Sequence, residues 1–217
     1  MKQETPQFDS NALKNQLSEG IGYLKLDIDP AKQDKLLKFL ELLVKWNQSY
    51  NLSGIKDPQA MLRLHLLDSL SILPYINGKK ILDVGTGAGL PGLLLAICLP
   101  ESRFSLLDSN GKKMRFVYQS AANLKLENVD IVQQRVESYQ SQEAFDIVLS
   151  RAFSTLKQFI EHSQHLLAAE GRLLAMKGQY PGQEIAEIPT DFQLLAVHEL
   201  SLPGDPATRH LLELGRS

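Results

Sequence analysis

The sequence predicts an α/β fold: a mainly parallel sheet with helices on both faces, a terminal antiparallel hairpin and a helical cap in front. Three observations carry this. From residue 79 onward, apolar strand-like runs alternate with helical segments, the pattern of a parallel sheet. The first of these runs, Ile81-Leu-Asp-Val84, ends in a glycine turn containing Gly85, Gly87, Gly89 and Gly92. Before residue 79 the apolar residues recur only at helical spacing.

Taken in order, residues 11–20 carry a weak helical pattern through Leu13 and Leu17. Asp29-Pro30 pairs a capping acid with a proline suited to the first helical turn, and Leu36, Leu37, Leu40, Leu43 and Val44 then predict a helix to about residue 46 or 47. A polar break over 47–54 follows. Asp57-Pro58 opens another helix, containing Leu62, His65, Leu66, Ser69 and Leu70, which Pro74 closes. Strands are expected at 80–84, 103–108, 129–133, 145–150 and 172–177. Helices are expected at 91–98, 112–123 and 155–168, the last ended by Gly171. Two further strand-like runs, 192–200 and 209–214, flank the breaker Pro203-Gly-Asp-Pro206 with no helix between them, which predicts a hairpin. Residues 1–78 are expected to form the helical extension and 79–217 the α/β domain, packed as one compact unit.

With 217 residues, 43% of them hydrophobic, the chain suits one sizeable core with an appendage. No stretch approaches the ~20 apolar residues that span a bilayer. The start, Met1-Lys-Gln-Glu-Thr-Pro-Gln-Phe-Asp9, is too polar for a secretory signal. A cytoplasmic location without membrane contact is expected. The single cysteine, Cys98, lies in an apolar run and reads as helix core, not as a catalytic thiol. The net charge of −2 gives no global sign of nucleic-acid binding, so any RNA contact has to be local.

The chemistry gathers at the strand ends. A glycine turn after the first strand lets backbone approach a bound nucleoside. Asp108, about twenty residues on, is placed to accept from ribose hydroxyls while also capping the next helix. After the third strand, Val136 can pack on an adenine ring and Glu137 can accept from its amino group. Arg151 follows the fourth strand at the same edge. The glycines alone leave two cofactors open, because Gly85-x-Gly87-x-Gly89 overlaps Gly87-x-Gly89-x-x-Gly92, the dinucleotide spacing. Asp83 favours S-adenosylmethionine, since a carboxylate attracts an amine and a sulfonium more than a pyrophosphate. Capping of the loop amides is the alternative role for Asp83.

The ordered set Trp46-Asn47, Asn51-Leu52-Ser53, Arg63-Leu-His-Leu-Leu-Asp-Ser-Leu70, Leu82-Asp-Val-Gly-Thr-Gly-Ala-Gly-Leu-Pro-Gly92, Leu107-Asp-Ser109 with Lys112-Lys113, Arg135-Val-Glu137, Ser150-Arg-Ala152 and Lys177-Gly178 resembles the bacterial RsmG (GidB) family. The resemblance implies a Rossmann-like class I methyltransferase with a seven-stranded sheet. It implies transfer of a methyl group from S-adenosylmethionine to N7 of guanine 527 in 16S ribosomal RNA. By the same resemblance Gly85 and Leu90 contact the cofactor, Val136 and Glu137 hold its adenine, and Arg151 faces the methionine end or the incoming base. Asp108 matches the ribose acid of class I methyltransferases in general. The partner so implied is 16S RNA in the small ribosomal subunit or an assembly intermediate, and the enzyme is expected to act as a monomer without a metal.

Guanine N7 carries a lone pair and no proton, so positioning replaces general-base catalysis. Arg151 and Lys177 are the expected positioning residues. Arg63, His65, Lys112, Lys113 and Arg135 are further candidates for a basic rim, with His65 read chiefly as a packing or hydrogen-bonding residue of the cap. A nicotinamide-dependent oxidoreductase and a binding module without turnover remain as alternatives.

Overall fold

The computed structural model describes residues 8–151, 153 and 155–217. The polar N-terminal start up to residue 7, and Ala152 of the Ser150-Arg-Ala152 motif, lie outside the described residues.

Helix α1 (Ser10–Tyr23) is capped by Asp9, whose carboxylate accepts from the backbone N–H groups of Asn11 and Ala12. It buries Leu13, Leu17 and Ile21. Gly20 lies so close to Leu67 that an added Cβ would stand 2.4 Å from its Cδ1. Helix α2 (Pro30–Tyr50) is capped by Asp29 as expected but runs past residue 47, stopping at Asn51 in the left-handed conformation. Buried Asn47 explains the order of the segment that follows: its amide accepts from Ser53 N and donates to Ile55 O.

The helix opened by Asp57-Pro58 is not regular. A short α3 (Pro58–Met61) passes into a π-helical turn, Leu62–Leu67, before α4 (Asp68–Leu70), and Pro74 sits inside a 3₁₀ turn instead of stopping a helix. Such wide turns shift side chains around the axis and recur near functional sites.

The strands β1 (Lys80–Val84), β2 (Arg103–Leu107), β3 (Val129–Val132), β4 (Phe145–Ser150), β5 (Leu167–Lys177), β6 (Phe192–Leu200) and β7 (Arg209–Arg216) form one sheet in the order β3-β2-β1-β4-β5-β7-β6. Pairing is parallel up to β5; β7 is antiparallel to β5, and β6 to β7. The strand order reverses beside β1, and the crevice opened there at the carboxyl edge is where such sheets bind ligands. The intervening helices are α5 (Gly92–Cys98), α6 (Gly111–Leu124), α7 (Leu156–Ser163) and α8 (Gly182–Ala186).

One expectation is corrected here. The helix expected over 155–168 ends at Ser163, and Gly171 lies within β5. The β4–β5 register shifts between Phe145 and Ile147, and a Cβ on Gly171 would stand 2.9 Å from the Phe145 carbonyl oxygen. Gly171 thus permits a close backbone approach at an irregularity, a second use of glycine that a sequence pattern does not separate from a helix stop.

Side chains of α2 (Leu36, Phe39, Leu40, Leu43) share one buried cluster with α5 and α6 on one face of the sheet; α7 closes a second cluster on the other face. The helical cap therefore rests on the helices that follow β1 and β2, and it reaches the edge where the candidate site lies. Among the described residues no helix is long and apolar enough to cross a membrane.

Candidate active site

The loop after β1 is held from both sides. Gly85 N and Thr86 N donate to Leu107 O at 2.8 and 3.1 Å, extending the β1–β2 register into the turn. Gly85, Gly87 and Gly89 have φ of +70°, +60° and +80°, which side-chain-bearing residues rarely adopt. Asp83 lies under the loop, fully buried. Its Oδ2 accepts from Thr86 Oγ1 at 2.7 Å and from Gly92 N at 2.9 Å. The capping role is therefore what the geometry shows, and Asp83 presents no surface to a ligand. Burial raises its pKa to about 6.

Asp108 supports the loop from the next strand: its Oδ2 accepts from Gly87 N at 2.9 Å and its Oδ1 from Asn110 N at 2.8 Å. Asn110, in turn, caps α6 through the N–H groups of Lys112 and Lys113. Half-exposed Asp108 keeps further lone pairs for a ligand hydroxyl. Together with Val84, Gly85, Gln134, Val136 and Glu137 it lines a cavity at the carboxyl edge. Val136 is buried in its wall, and exposed Glu137 stands 3.3 Å from His162 Nδ1. Gly89 and Leu90 are buried and do not line this cavity. Their part is to shape the turn: Gly89 N and Leu90 N both donate to Thr86 O.

Arg151 and Lys177 belong to a second cavity, of about 330 Å³, between the cap and the ends of β4, β5 and β7. Arg151 Nη1 stands 3.3 Å from Asp68 Oδ2, while Arg209 Nε stands 2.8 Å from Asp68 Oδ1. Arg209 also pairs with Asp205 at 2.9 Å. Lys177 Nζ meets Glu184 at 2.8 Å, and the same carboxylate accepts from Leu156 N at the start of α7. Burial raises the Asp68 pKa against the opposing pull of its two arginines. His65 Nε2 lies 2.7 Å from Ser53 Oγ, so its hydrogen-bonding role in the cap is as expected. Burial first, and Arg151 second, lower its pKa to about 4.

Asp68, Arg209 and His210 were not singled out from sequence. Asp68 lies inside the Arg63–Leu70 motif, which was the available signal; Arg209 and His210 stand in the weakly patterned tail and reach the cavity only because β7 inserts beside β5. Cys98 is buried on α5, and burial pushes its thiol up to about 12, which leaves no nucleophile there.

Residues 32–212 match the family model described as rRNA small subunit methyltransferase G. The chain belongs to that family. The ribosomal RNA small subunit methyltransferase G of Ectopseudomonas mendocina (strain ymp) is 48% identical over 204 residues, covering 93% of this chain and 95% of its own. That of Stutzerimonas stutzeri (strain A1501) is 48% identical over 210 residues, covering 96% and 98%. Among solved structures, a SAM dependent methyltransferase from Aquifex aeolicus aligns with a TM-score of 0.60 at 18% identity, covering 76% of this chain and 96% of its own. TrmN from Thermus thermophilus aligns at 0.56 and 18%, covering 70% and 48%. At such identities these two show the class I methyltransferase fold alone.

As a member of the methyltransferase G family the chain is an S-adenosylmethionine-dependent rRNA methyltransferase, which sets aside the nicotinamide alternative. The residues present fit that cofactor. A Cβ built on Gly85 meets nothing within 4 Å, so the turn leaves open a cradle that any side chain would fill. The adjoining cavity combines apolar Val84, Leu107 and Val136 with the carboxylates of Asp108 and Glu137, apolar walls and acceptors suited to an adenosine.

Proposed function

We propose that this methyltransferase acts, as a monomer, on N7 of guanine 527 in 16S ribosomal RNA, within the small subunit or an assembly intermediate of it. The observation that carries the reading is the second cavity. Its basic groups, Arg151, Arg209 and Lys177, are each matched by a carboxylate, and His65 is held neutral. A charge-balanced pocket tolerates a base that turns cationic, whereas three unmatched cations would oppose it.

S-adenosylmethionine supplies an electrophilic methyl on a sulfonium centre. In this reading Gly85 and Gly87 admit the ligand to the turn, Asp108 accepts from the ribose hydroxyls, and Val136 and Glu137 take the adenine. Asp83, Gly89 and Leu90 fix the loop from beneath. Arg151 and Lys177 hold the guanine in line, Arg151 being fixed by Asp68 and Lys177 by Glu184. Guanine N7 has no proton to lose, so no side chain acts as a base and alignment does the work. Reaching N7 requires an unstacked or extruded nucleotide. The helices before residue 79 act with the sheet as one unit in forming this pocket.

The test is transfer of labelled methyl to naked 16S RNA, to assembled small subunits and to assembly intermediates, with the modified nucleotide mapped by mass spectrometry. Modification at guanine 527 N7 is expected in at least one of the three. Transfer to another nucleotide, or to none, refutes the assignment, and binding without transfer favours the module without turnover.

A further inference from the structure

A third cavity lies outside both pockets, in the groove between α2 and α6. Its walls are Trp46, Arg115, Tyr118, Gln119, Ile131 and Gln133. Trp46 is half-buried against the core, and the tyrosines beside it stand out into solvent. Tyr118 is 66% exposed and Tyr50 50% exposed, and the Tyr50 ring stacks on Trp46 with centroids 5.0 Å apart. Trp46 is braced from behind by Phe116, edge-on at 5.7 Å, so the indole is held in a fixed orientation. Arg115 and Lys112, both exposed on α6, have no carboxylate within ion-pair distance among the described residues. Gln119 and Gln133 add exposed amides that donate and accept. Gln133 directly precedes Gln134 of the cofactor cavity, so the groove adjoins that pocket along the chain.

A braced, half-buried indole and an exposed tyrosine ring beside unpaired cations match single-stranded nucleic acid: bases stack on the rings and phosphates meet the cations. A polypeptide partner would meet the apolar rings but leave these cations without counter-charges unless it were acidic. We infer that this groove is an RNA-docking surface, on which an unpaired base of the substrate RNA stacks against the Trp46–Tyr118 wall while Arg115 and Lys112 take neighbouring phosphates. The inference rests on the reading of the protein as an rRNA methyltransferase and adds a contact remote from the reacting base.

Trp46 is the sole tryptophan of the chain, so its emission reports on the groove. The full-length protein is titrated with single-stranded oligoadenylate and with an abasic oligomer of equal length. Oligoadenylate is expected to quench the emission, and the abasic oligomer to bind more weakly without quenching. Tyr118→Ala, at an exposed position that should not disturb folding, is expected to weaken RNA binding about five- to hundredfold. It should raise KM for RNA with cofactor affinity unchanged. Arg115→Ala should flatten the salt dependence of binding by about 0.7 in log–log slope. Trp46→Phe is expected to retain most of the binding, and Trp46→Ala to lose it.

Equal quenching by both oligomers, or none by either, overturns the inference. So does wild-type RNA binding in the Tyr118→Ala variant. If Tyr118→Ala and Arg115→Ala weaken binding to assembled subunits and leave binding to naked RNA unchanged, the groove docks a ribosomal protein and the RNA assignment is wrong. Normal methyl transfer by wild type with no effect of these variants removes the groove alone. A normal quench without any methyl transfer removes the enzymatic reading alone.

Discussion

Asp108 braces the glycine turn with the same carboxylate that is proposed to take the ribose. Its oxygens already accept from Gly87 N and Asn110 N, so the side chain braces the glycine turn before any ligand arrives. Asp108→Ala removes both acceptors and the proposed ribose contact. Cofactor affinity is expected to fall by about 1–3 kcal/mol, read by calorimetry. Asp108→Asn retains one acceptor and should fall between; an alanine variant that binds like wild type would show that the turn holds itself. Gly85 poses the opposite case. Its φ of +70° penalises any side chain by about 1–2 kcal/mol, yet no atom stands in the way of a Cβ. Gly85→Ala should therefore fold with a modest loss of stability and lose cofactor affinity through the filled cradle. Calorimetry and thermal denaturation on one preparation separate the two effects.

At the scale of elements, the junction between the cap and the sheet hangs on one buried acid. Asp68 leaves the end of the π-helical turn and joins Arg151, at the end of β4, to Arg209, at the start of β7. Asp68→Ala strands the Arg151 guanidinium and leaves Arg209 with Asp205 alone, both arginines being mostly enclosed. Urea denaturation is expected to show a loss of about 2 kcal/mol, less than for a fully buried pair because the arginines keep some solvent contact. Turnover should fall further than stability predicts, since Arg151 loses its anchor; activity at the wild-type level would detach Arg151 from the site. Much of the surrounding frame was legible in advance. The five parallel strands, the terminal hairpin and the Asp-Pro helix starts follow from period and capping chemistry, which are local. The illegible parts are non-local. The π-helical turn packs against α1, where Leu67 meets Gly20, and nothing in the Leu62–Leu67 run announces it. Gly171 looks like a helix stop until β4 is seen beside it. For Asp83 the sequence leaves ligand contact and loop capping both open, and its burial beneath Gly92 shows the capping. Arg209 reaches the cavity through the insertion of β7 beside β5, a pairing no pattern within the tail encodes.

For the molecule as a whole, the buried titratable groups set opposing dependences of stability on pH. Asp83 has its pKa raised by burial from 3.8 to about 6, so between those values the folded chain binds a proton that the unfolded chain has released. Its contribution is fully present below the unfolded pKa and is lost as pH rises towards 6. His65 has its pKa lowered by burial from 6.5 to about 4, so over nearly the same interval the folded chain lacks a proton that the unfolded chain holds. That contribution is present above pH 6.5 and is lost as pH falls towards 4. Each slope is at most about 1.4 kcal/mol per pH unit, and the two have opposite sign, so they offset in the wild type. The raised pKa of Asp68 acts in the same direction as Asp83. With two raised carboxylates against one lowered imidazole, wild-type stability should decline with rising pH between about 4.5 and 6, His65 offsetting part of the fall. Asp83→Asn keeps an oxygen for Thr86 and Gly92 and removes one declining slope, so across this window its stability should rise with pH relative to wild type. His65→Gln removes the other, and its stability should decline. Urea midpoints at half-unit pH intervals decide the matter. If both variants follow the wild-type profile, the two groups are not buried as their environments indicate, and the enclosed glycine turn and the sealed cap junction are both more open than the structure has them.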